Sequence, residues 1–368
     1  MVLAGKQAGQ RRRDRVAGAA GCCGGFTARR DWLADQAGRA SRRSFSCPRA
    51  AMMHSFPDAM AKRSRGAALI SALLTVALAT LLATQLIVAQ GDAMQNMSGR
   101  RDLAQARWLA RSAADWARAI LAADGRNSRI DHLGESWAIK VPPLPIRSGQ
   151  SQDVLEGEVS GEIAEQDGRF NLNRLAPGGK ADQEQIDVFV RLLILLGTPE
   201  NDARRLALAV ADWIDSDALT ADGAAELLAY GVPFDNQPLL GVGTLLRVPG
   251  FTPGLLARLQ PYVGALPRRV PLNLNTAAAE VLAAELPELG LAAAQRAVAE
   301  RVRTPFRDIG DFNARFEGAG ANAACGVSSS YFIATTRASF GESVVMLRTL
   351  LYRTAGSAWP DILWQQIL

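Results

Sequence analysis

The sequence predicts an α+β fold in which a long N-terminal helix packs on an antiparallel sheet and a large all-α domain is inserted into the sheet-forming part of the chain. Three observations lead to this prediction. An apolar run continues without a loop into an amphipathic helical pattern, strand patterns lie on both sides of a helix-rich middle, and the last two strand patterns are joined by a short turn. Because strand patterns flank the helical middle, that middle is expected to be an insertion.

Residues 1–66 are predicted to be a leader preceded by an extension that is disordered or lies upstream of the true translation start. This part contains Cys22, Cys23 and Cys47 and several pairs of arginines, and it shows no sustained helical or strand period. A basic arm for nucleic acid or lipid headgroups is the alternative interpretation. Translation from Met60 would leave the compact leader MAKRSRG.

The leader ends in Arg65-Gly66, and about 23 uncharged residues follow at 67–89. As a helix this run spans about 35 Å, enough to cross a hydrocarbon core of about 30 Å, and the basic side is expected to stay in the cytoplasm. A cleaved secretory signal has a shorter apolar core. The other two interpretations are a plain membrane anchor and a type IV prepilin signal, which is cut after Gly66 and leaves the whole run, starting with Ala67, on the mature protein.

The helix is predicted to continue well beyond the apolar run. From Arg100 onward, small and apolar residues recur at spacings of three and four while charged residues occupy other faces. Asp124-Gly125 is a stop signal. The pattern therefore predicts one helix over 67–123, with its transmembrane half at 67–89.

Strand patterns flank a block of helical patterns. The predicted strands are 136–141, 156–164, 331–339 and 343–352, with the last two forming a hairpin. These patterns assign residues 124–181 and 311–368 to one α+β domain and residues 182–310 to the inserted helical domain.

Composition favours a structural protein over an enzyme. The net charge of +5 and the isoelectric point near 9.3 owe much to the extension and leader, so they are weak support for nucleic acid binding by the folded part. After Gly66 the chain has one cysteine, Cys325, and one histidine, His132. One cysteine cannot form a disulfide within this part of the chain or a zinc site made of cysteines. One histidine gives little support to a Ser-His or Cys-His catalytic pair. Hence no catalytic set is predicted.

Two stretches are candidates for binding. The acidic stretch 212–217, with Glu226 beyond it, offers closely spaced carboxylates of the kind that bind Ca²⁺, or it is a solvated loop whose carboxylates cap turns. Residues 271–290 resemble half of a helix-hairpin-helix unit, whose backbone N–H groups bind phosphate in DNA-binding versions. Glu288 lies beside the hairpin glycine and would repel phosphate, so a structural hairpin is the favoured interpretation.

Five ordered stretches, from about Arg65 to the C-terminal part of the chain, resemble the type II secretion minor pseudopilins of the general secretion pathway protein K family. They are RGAALISALLTVALATLLA, QARWLARSAADWARAIL, EQDGRFNLNRL, ADWIDSD and LNLNTAAAEVLAAELP. The resemblance implies a pilin-like α+β domain with an inserted SAM-like helical domain. It also implies cleavage between Gly66 and Ala67 by prepilin peptidase, and methylation of the new N-terminus.

The resemblance further implies a place in the assembly. The fifth mature position is Ser71, where most pseudopilins have Glu, and this family is thought to cap a tip complex with the I and J pseudopilins because it lacks that carboxylate. The implied location is the inner membrane, as a single-pass protein whose C-terminal domain is periplasmic, and no nucleic acid partner is expected. A membrane-anchored helix-hairpin-helix DNA-binding protein of the competence type is the alternative function.

The family's calcium site carries over to this chain only in part. The implied ligands are Asp212, Asp215, Asp217 and Glu226. Leu227 stands where the family's pattern has a further carboxylate. Weaker affinity, or loss of the site, is therefore expected.

Overall fold

The computed structural model describes residues 64–147, 155–217, 219, 231, 235–354 and 359–368. The chain divides into two compact units, Met1–Thr75 and Val76–Leu368. In the first unit the described residues form the opening turns of a helix. In the second they form the rest of that helix, a five-stranded sheet and a group of shorter helices.

The described α-helices, in chain order, are α1 (Ser64–Asn127), α2 (Gln183–Leu195), α3 (Glu200–Ile214), α4 (Pro253–Leu259), α5 (Ala279–Glu285), α6 (Gly290–Arg301) and α7 (Ile309–Arg315). Short 3-10 helices lie at Ser136–Ala138, Leu172–Arg174, Pro177–Gly179 and Val242–Arg247. The predicted long N-terminal helix is confirmed. It has 64 residues, so it starts before the predicted first residue and ends after the predicted last one.

The described strands are β1 (Val141–Arg147), β2 (Leu155–Glu165), β3 (Phe170–Asn171), β4 (Val263–Gly264), β5 (Leu272–Asn273), β6 (Cys325–Gly326), β7 (Tyr331–Phe340), β8 (Ser343–Tyr352) and β9 (Asp361–Ile367). The main sheet has the order β1-β2-β7-β8-β9, and all of its pairs are antiparallel. The mixed class and the antiparallel sheet were therefore predicted correctly, while the domain limits stay a prediction.

The β7–β8 hairpin was predicted almost to the residue. Its register runs from Tyr331 opposite Tyr352 to Phe340 opposite Ser343, and the turn between them is Gly341-Glu342. Gly341 has φ +54°, a value that glycine adopts without the steric penalty of a side chain. The tight turn fixes the register of the central strand β7 against its neighbour β8.

The strand predicted at 136–141 is wrong over most of its length. Residues Ser136–Ala138 form a 3-10 turn because Trp137 is buried and its indole N–H donates to Glu135 Oε2 at 2.7 Å. The strand β1 starts only at Val141. The edge strand β9, which carries no alternating pattern, was not predicted.

The later half of α1 packs on the main sheet through small side chains. Ala106, Ala110 and Ala114 are buried against β7 and β8, and farther along Ala117 and Leu121 join a second cluster on the same sheet. Their spacing of three and four places all five on one helix face. The Thr336 hydroxyl, from β7, donates to the Ala110 carbonyl at 3.0 Å, so helix and sheet lie in close contact there.

The helical block has its own core around α2, α3 and α5. The Asp182 carboxylate caps α2 by accepting from the N–H groups of Glu184 and Gln185. Within this core Arg174 and Glu285 form a buried pair at 2.7 Å, which satisfies both charges away from water.

Two Asn-Leu-Asn triplets have matching structural roles. Asn171 and Asn173 bond the backbone of the 239–268 segment, and Asn171 both donates to and accepts from Leu266. Asn275 does the same to Phe306. Each triplet begins at the last residue of a two-residue strand that forms a parallel bridge, β3 with β4 and β5 with β6. These amides, buried at Asn171, Asn273 and Asn275 and half-buried at Asn173, supply the hydrogen bonds that irregular backbone needs inside a core.

Three buried carboxylates join the sheet to the helical block. Glu165 is the last residue of β2, Asp167 lies two residues after it, and Asp131 lies beyond the end of α1. Ser329 donates its hydroxyl to Glu165 at 2.7 Å and its N–H to Asp131 at 2.7 Å. Asn273, at the start of the second triplet, donates to both the Ser329 hydroxyl and the Asp131 carbonyl.

Burial raises the pKa of each of these three carboxyl groups. For Asp167 the pKa lies well above the usual value because desolvation is reinforced by the neighbouring Glu165 charge. The N–H groups of Ser330, at 2.5 Å, and Tyr331, at 3.2 Å, partly offset this by donating to Asp167. This buried carboxylate hub (Asp131, Glu165 and Asp167) fixes how β2, the start of β7 and the 273–276 segment meet.

Replacing Ala110 by Leu is predicted to destabilise the protein by about 1–3 kcal/mol, because the added carbons have no space between α1 and the sheet. Thermal unfolding of the full chain in detergent measures this as a lower Tm. The matched control is Ala104→Leu, the same change at an exposed position of α1. Equal decreases in Tm for the two variants would contradict tight packing between α1 and the sheet.

Candidate functional site

The segment predicted to be processed lies in the first turns of α1. Gly66 and Ala67 are exposed and helical. A Cβ added at Gly66 would meet nothing within 4 Å, so a side chain there causes no clash. Both residues that flank the predicted cleavage site are therefore exposed, and no described residue from outside the helix covers Gly66.

The Ser71 hydroxyl finds its hydrogen-bond partner within its own helix. Its hydroxyl donates to the Ala68 carbonyl at 2.9 Å, a bond that serine commonly makes inside apolar helices. A Glu at the same place would carry a charge that one turn of helix cannot neutralise. Ser71 therefore needs no partner from another chain.

The apolar half of α1 is exposed along its length. Of the described helices, α1 alone is long and apolar enough to cross a membrane, and none of its most apolar window is buried in the structure. A core helix of a water-soluble protein would be mostly buried. One long apolar helix of this kind fits a single-pass membrane anchor.

The acidic loop begins at the C-terminal end of α3. Asp212 and Asp215 are buried there, at a helix end whose dipole disfavours negative charge. Asp217 is exposed, and its Oδ1 accepts from the Leu219 N–H at 2.8 Å. Glu226 lies outside the described residues. The structure thus brings Asp212 and Asp215 to the same helix end. Asp217 follows in the described start of the loop, and the position of Glu226 is not part of the described structure.

Contacts on both sides hold the start of this loop. The Ser216 N–H and hydroxyl both donate to the Gly179 carbonyl, at 2.9 and 3.0 Å. The Asp217 carbonyl accepts from the Asn236 side chain. Oxygen ligands on an anchored loop suit Ca²⁺, which tolerates varied geometry, so the donor chemistry fits the ion.

Another acidic cluster was missed by sequence analysis. Asp124, Asp131 and Glu135 form the one group of three acidic side chains, among the described residues, whose oxygens converge closely enough for a metal. Arg353 already supplies the positive charge: its guanidinium pairs with Asp124 at 2.9 Å and also with Asp131. Burial nevertheless raises the pKa of Asp124 to about 6. We interpret the cluster as a structural ion-pair network that closes the end of α1 on β8.

The helix-hairpin-helix candidate is mainly a structural element. Asn273 and Asn275 of its Leu-Asn-Leu-Asn stretch are buried and bonded to neighbouring segments. Glu285 is paired with Arg174 inside the core, while Glu288 is exposed at the hairpin. An exposed carboxylate at the hairpin remains unfavourable for phosphate.

Comparison with known proteins gives matches over most of the chain. The family model described as type II secretion system (T2SS), protein K, matches residues 168–268, and a second model of that description matches residues 272–328. Type II secretion system protein K of Pseudomonas aeruginosa is 32% identical over 309 residues, which cover 80% of this chain and 90% of that protein. The Klebsiella pneumoniae protein of the same name is 31% identical over 314 residues, covering 80% of this chain and 94% of that protein.

A solved structure is similar as well. The GspK–GspI–GspJ complex from enterotoxigenic Escherichia coli contains a chain that matches with a TM-score of 0.62 and 25% identity, covering 74% of this chain and 99% of that one. The two family-model matches include both Asn-Leu-Asn triplets, 171–173 in the first and 273–275 in the second. The chain belongs to the type II secretion system protein K family.

Proposed function

We propose that this protein is a minor pseudopilin that caps or initiates the pseudopilus of the type II secretion system, as part of a tip complex that drives export of folded proteins across the outer membrane. The observation that carries the proposal is α1, one continuous helix with a fully exposed apolar window and a later half that carries the sheet. A filament subunit needs both halves: one lies in lipid before assembly, and the other presents the folded domain.

The proposed partners are other minor pseudopilins of the I and J types, the pseudopilus, prepilin peptidase and inner-membrane lipid. GspK of enterotoxigenic E. coli occurs in a complex with GspI and GspJ, which supports the choice of partners. The protein is proposed to be single-pass in the inner membrane with its C-terminal domain in the periplasm. The inserted domain at 182–310 is proposed to be SAM-like.

The DNA-binding alternative has less support. The hairpin that would hold phosphate carries the exposed Glu288, and the asparagines of its motif bond other parts of the same chain. Both features are compatible with an assembly role. A folded domain that acts as a subunit needs hydrogen-bond partners for its buried polar groups, and it does not need an exposed basic hairpin.

Replacing Gly66 by Val is predicted to block processing and to abolish secretion in a strain that lacks the protein, because the cut is made after this glycine. The change adds a side chain where there is open space, so folding should not suffer. Gly99→Val is the matched control, since Gly99 is also an open position of α1. Immunoblots give the cleaved fraction, and an exoprotein assay gives secretion. A Gly66→Val protein that is cleaved and restores secretion would argue against the proposal.

Replacing Ser71 by Glu is predicted to reduce the amount of tip complex and the rate of secretion. A carboxylate at this depth costs about 2.5–3.5 kcal/mol unless it is paired, and a topmost subunit has no subunit ahead to pair with. Ser71→Ala, which adds no charge, should behave as the parent. Co-purification with the I and J pseudopilins measures assembly, and unchanged assembly and secretion with Glu would remove Ser71 as a determinant of tip position.

Calcium is proposed to bind Asp212, Asp215, Asp217 and Glu226. The Tm of the full chain in detergent is then expected to rise with calcium and to fall with chelator. Asp217→Asn should remove the calcium shift while leaving the chelated Tm nearly unchanged, since Asn can still accept from the Leu219 N–H. Asp202→Asn, an exposed change in the first turn of α3, is the control. A Tm that does not respond to calcium would mean that the site has been lost.

A further inference from the structure

The two edges of the main sheet are built differently. The edge strand β1 contains Pro142, Pro143 and Pro145 and shifts register twice against β2, so it offers few N–H donors to another strand. The opposite edge strand, β9, has the sequence DILWQQI, without proline. Natural proteins usually blunt an exposed edge, so an unprotected one points to a partner.

The outward-facing backbone groups of β9 follow from its register. The Leu368 N–H donates to the Met346 carbonyl at 3.0 Å, and Ile367 lies opposite Leu347. In an antiparallel pair, residues that exchange hydrogen bonds alternate with residues whose N–H and C=O face away. Gln365 and Ile367 therefore turn their backbone groups toward the outer edge of the sheet, where no described strand pairs with β9; this is called the free edge below.

This edge is also apolar. The side chains of Ile362, Leu363 and Ile367 are 39%, 43% and 50% exposed. Such side chains beside unpaired backbone groups make a template for strand addition. The edge thus has both the hydrogen bonds and the apolar surface that an added strand would use.

A row of arginines runs along α1 beside this edge. Arg100, Arg107, Arg111 and Arg118 are spaced by seven, four and seven, which places them within about 40° of arc on the helix. Arg118 shows which side they face, because its Nε donates to the Pro360 carbonyl at 2.8 Å, immediately before β9. In the described part of the chain, only Arg118 of the four forms an ion pair, with Asp115.

The arginine row and β9 run side by side. Leu347, opposite Ile367, packs with Ala106 and Ala110, whereas Leu351, opposite Ile362, packs in the cluster that contains Ala117. Arg107 and Arg111 are therefore level with the 365–367 end of β9, where the outward backbone groups lie.

We propose that a strand of another minor pseudopilin adds to the free edge of β9 and directs carboxylates toward the arginine row. The hydrogen bonds of Gln365 and Ile367 would provide affinity, and Arg107 and Arg111 would select an acidic strand. A second copy of this chain fits poorly, because pairing of two β9 edges would bring two arginine rows together. This inference rests on the proposed function, whose partners it locates on the sheet.

Amide hydrogen exchange tests the proposal on the full chain in detergent, alone and in complex with co-expressed I and J pseudopilins. Gln365 and Ile367 should exchange rapidly in the free chain and at least about tenfold more slowly in the complex. Gln366, whose backbone faces β8, should be slow in both states and serves as the internal reference.

Two pairs of variants separate the contribution of the backbone hydrogen bonds of β9 from that of the arginine row. Gln365→Pro removes an outward N–H and no backbone bond to β8, so it should weaken the complex. It also removes the side-chain amide that donates to Thr349 of β8, and Gln365→Thr, which lacks the same amide and keeps the N–H, should not weaken the complex. Arg111→Glu should weaken it as well, while Arg101→Glu, on the exposed face of α1 opposite the buried Ala110, should not. Melting curves check that each variant folds, and exchange in the parent decides the matter if the proline variant does not.

The outcomes are distinguishable. A complex that forms while Gln365 and Ile367 still exchange rapidly would overturn the strand addition and leave the proposed function standing. Failure of the parent chain to bind either pseudopilin would overturn both. Protection of the same amides by vesicles of anionic lipid alone would assign the edge to a lipid surface and overturn the proposal.

Discussion

The close packing of α1 on the main sheet is the contact on which the other features depend. It is made by alanines, whose small side chains let the helix approach β7 and β8 until the Thr336 hydroxyl bonds the Ala110 carbonyl. Larger side chains would hold the helix away from the sheet. Because the same helix continues into the apolar run, one element serves as both a membrane-length helix and a support for the sheet.

The helical block is joined to this frame by buried polar groups. The carboxylate hub lies where the end of β2, the start of β7 and the 273–276 segment meet, and backbone N–H groups and hydroxyls satisfy its oxygens. Buried and fully bonded networks specify one arrangement, since any displacement leaves charged or polar atoms without partners. In the proposed role at a filament tip, such an attachment would keep the large domain in a fixed orientation.

Local patterns were enough to predict part of the fold. The period of α1, the alternation in β2 and the turn between β7 and β8 are all local signals, and each gave an element with nearly correct limits. The failures have physical causes. The 136–138 segment turns because of one indole hydrogen bond, and β9 has no alternating pattern because both of its faces are largely exposed.

The functional and structural sites likewise divide into those that the sequence could locate and those that it could not. The stretch around Gly66 and Ser71 could be located from sequence because the signal is contiguous. Neither the carboxylate hub nor the pairing of Arg353 with Asp124 and Asp131 could be predicted, because no local period links their members. Arg353 is 229 residues from Asp124, and Ser329 is 164 residues from the Glu165 that it bonds. The arginine spacing on α1 was visible in the sequence, but its relation to β9 required the register of the sheet.

The most direct test of the account is the N-terminal mass of the protein isolated from membranes, with and without prepilin peptidase. The account predicts a mature form that begins at Ala67, carries a methyl group on its new N-terminus and appears only when the peptidase is present. The same uncleaved N-terminus in both samples would contradict the pseudopilin assignment, reduce α1 to a plain membrane anchor and bring the DNA-binding alternative forward.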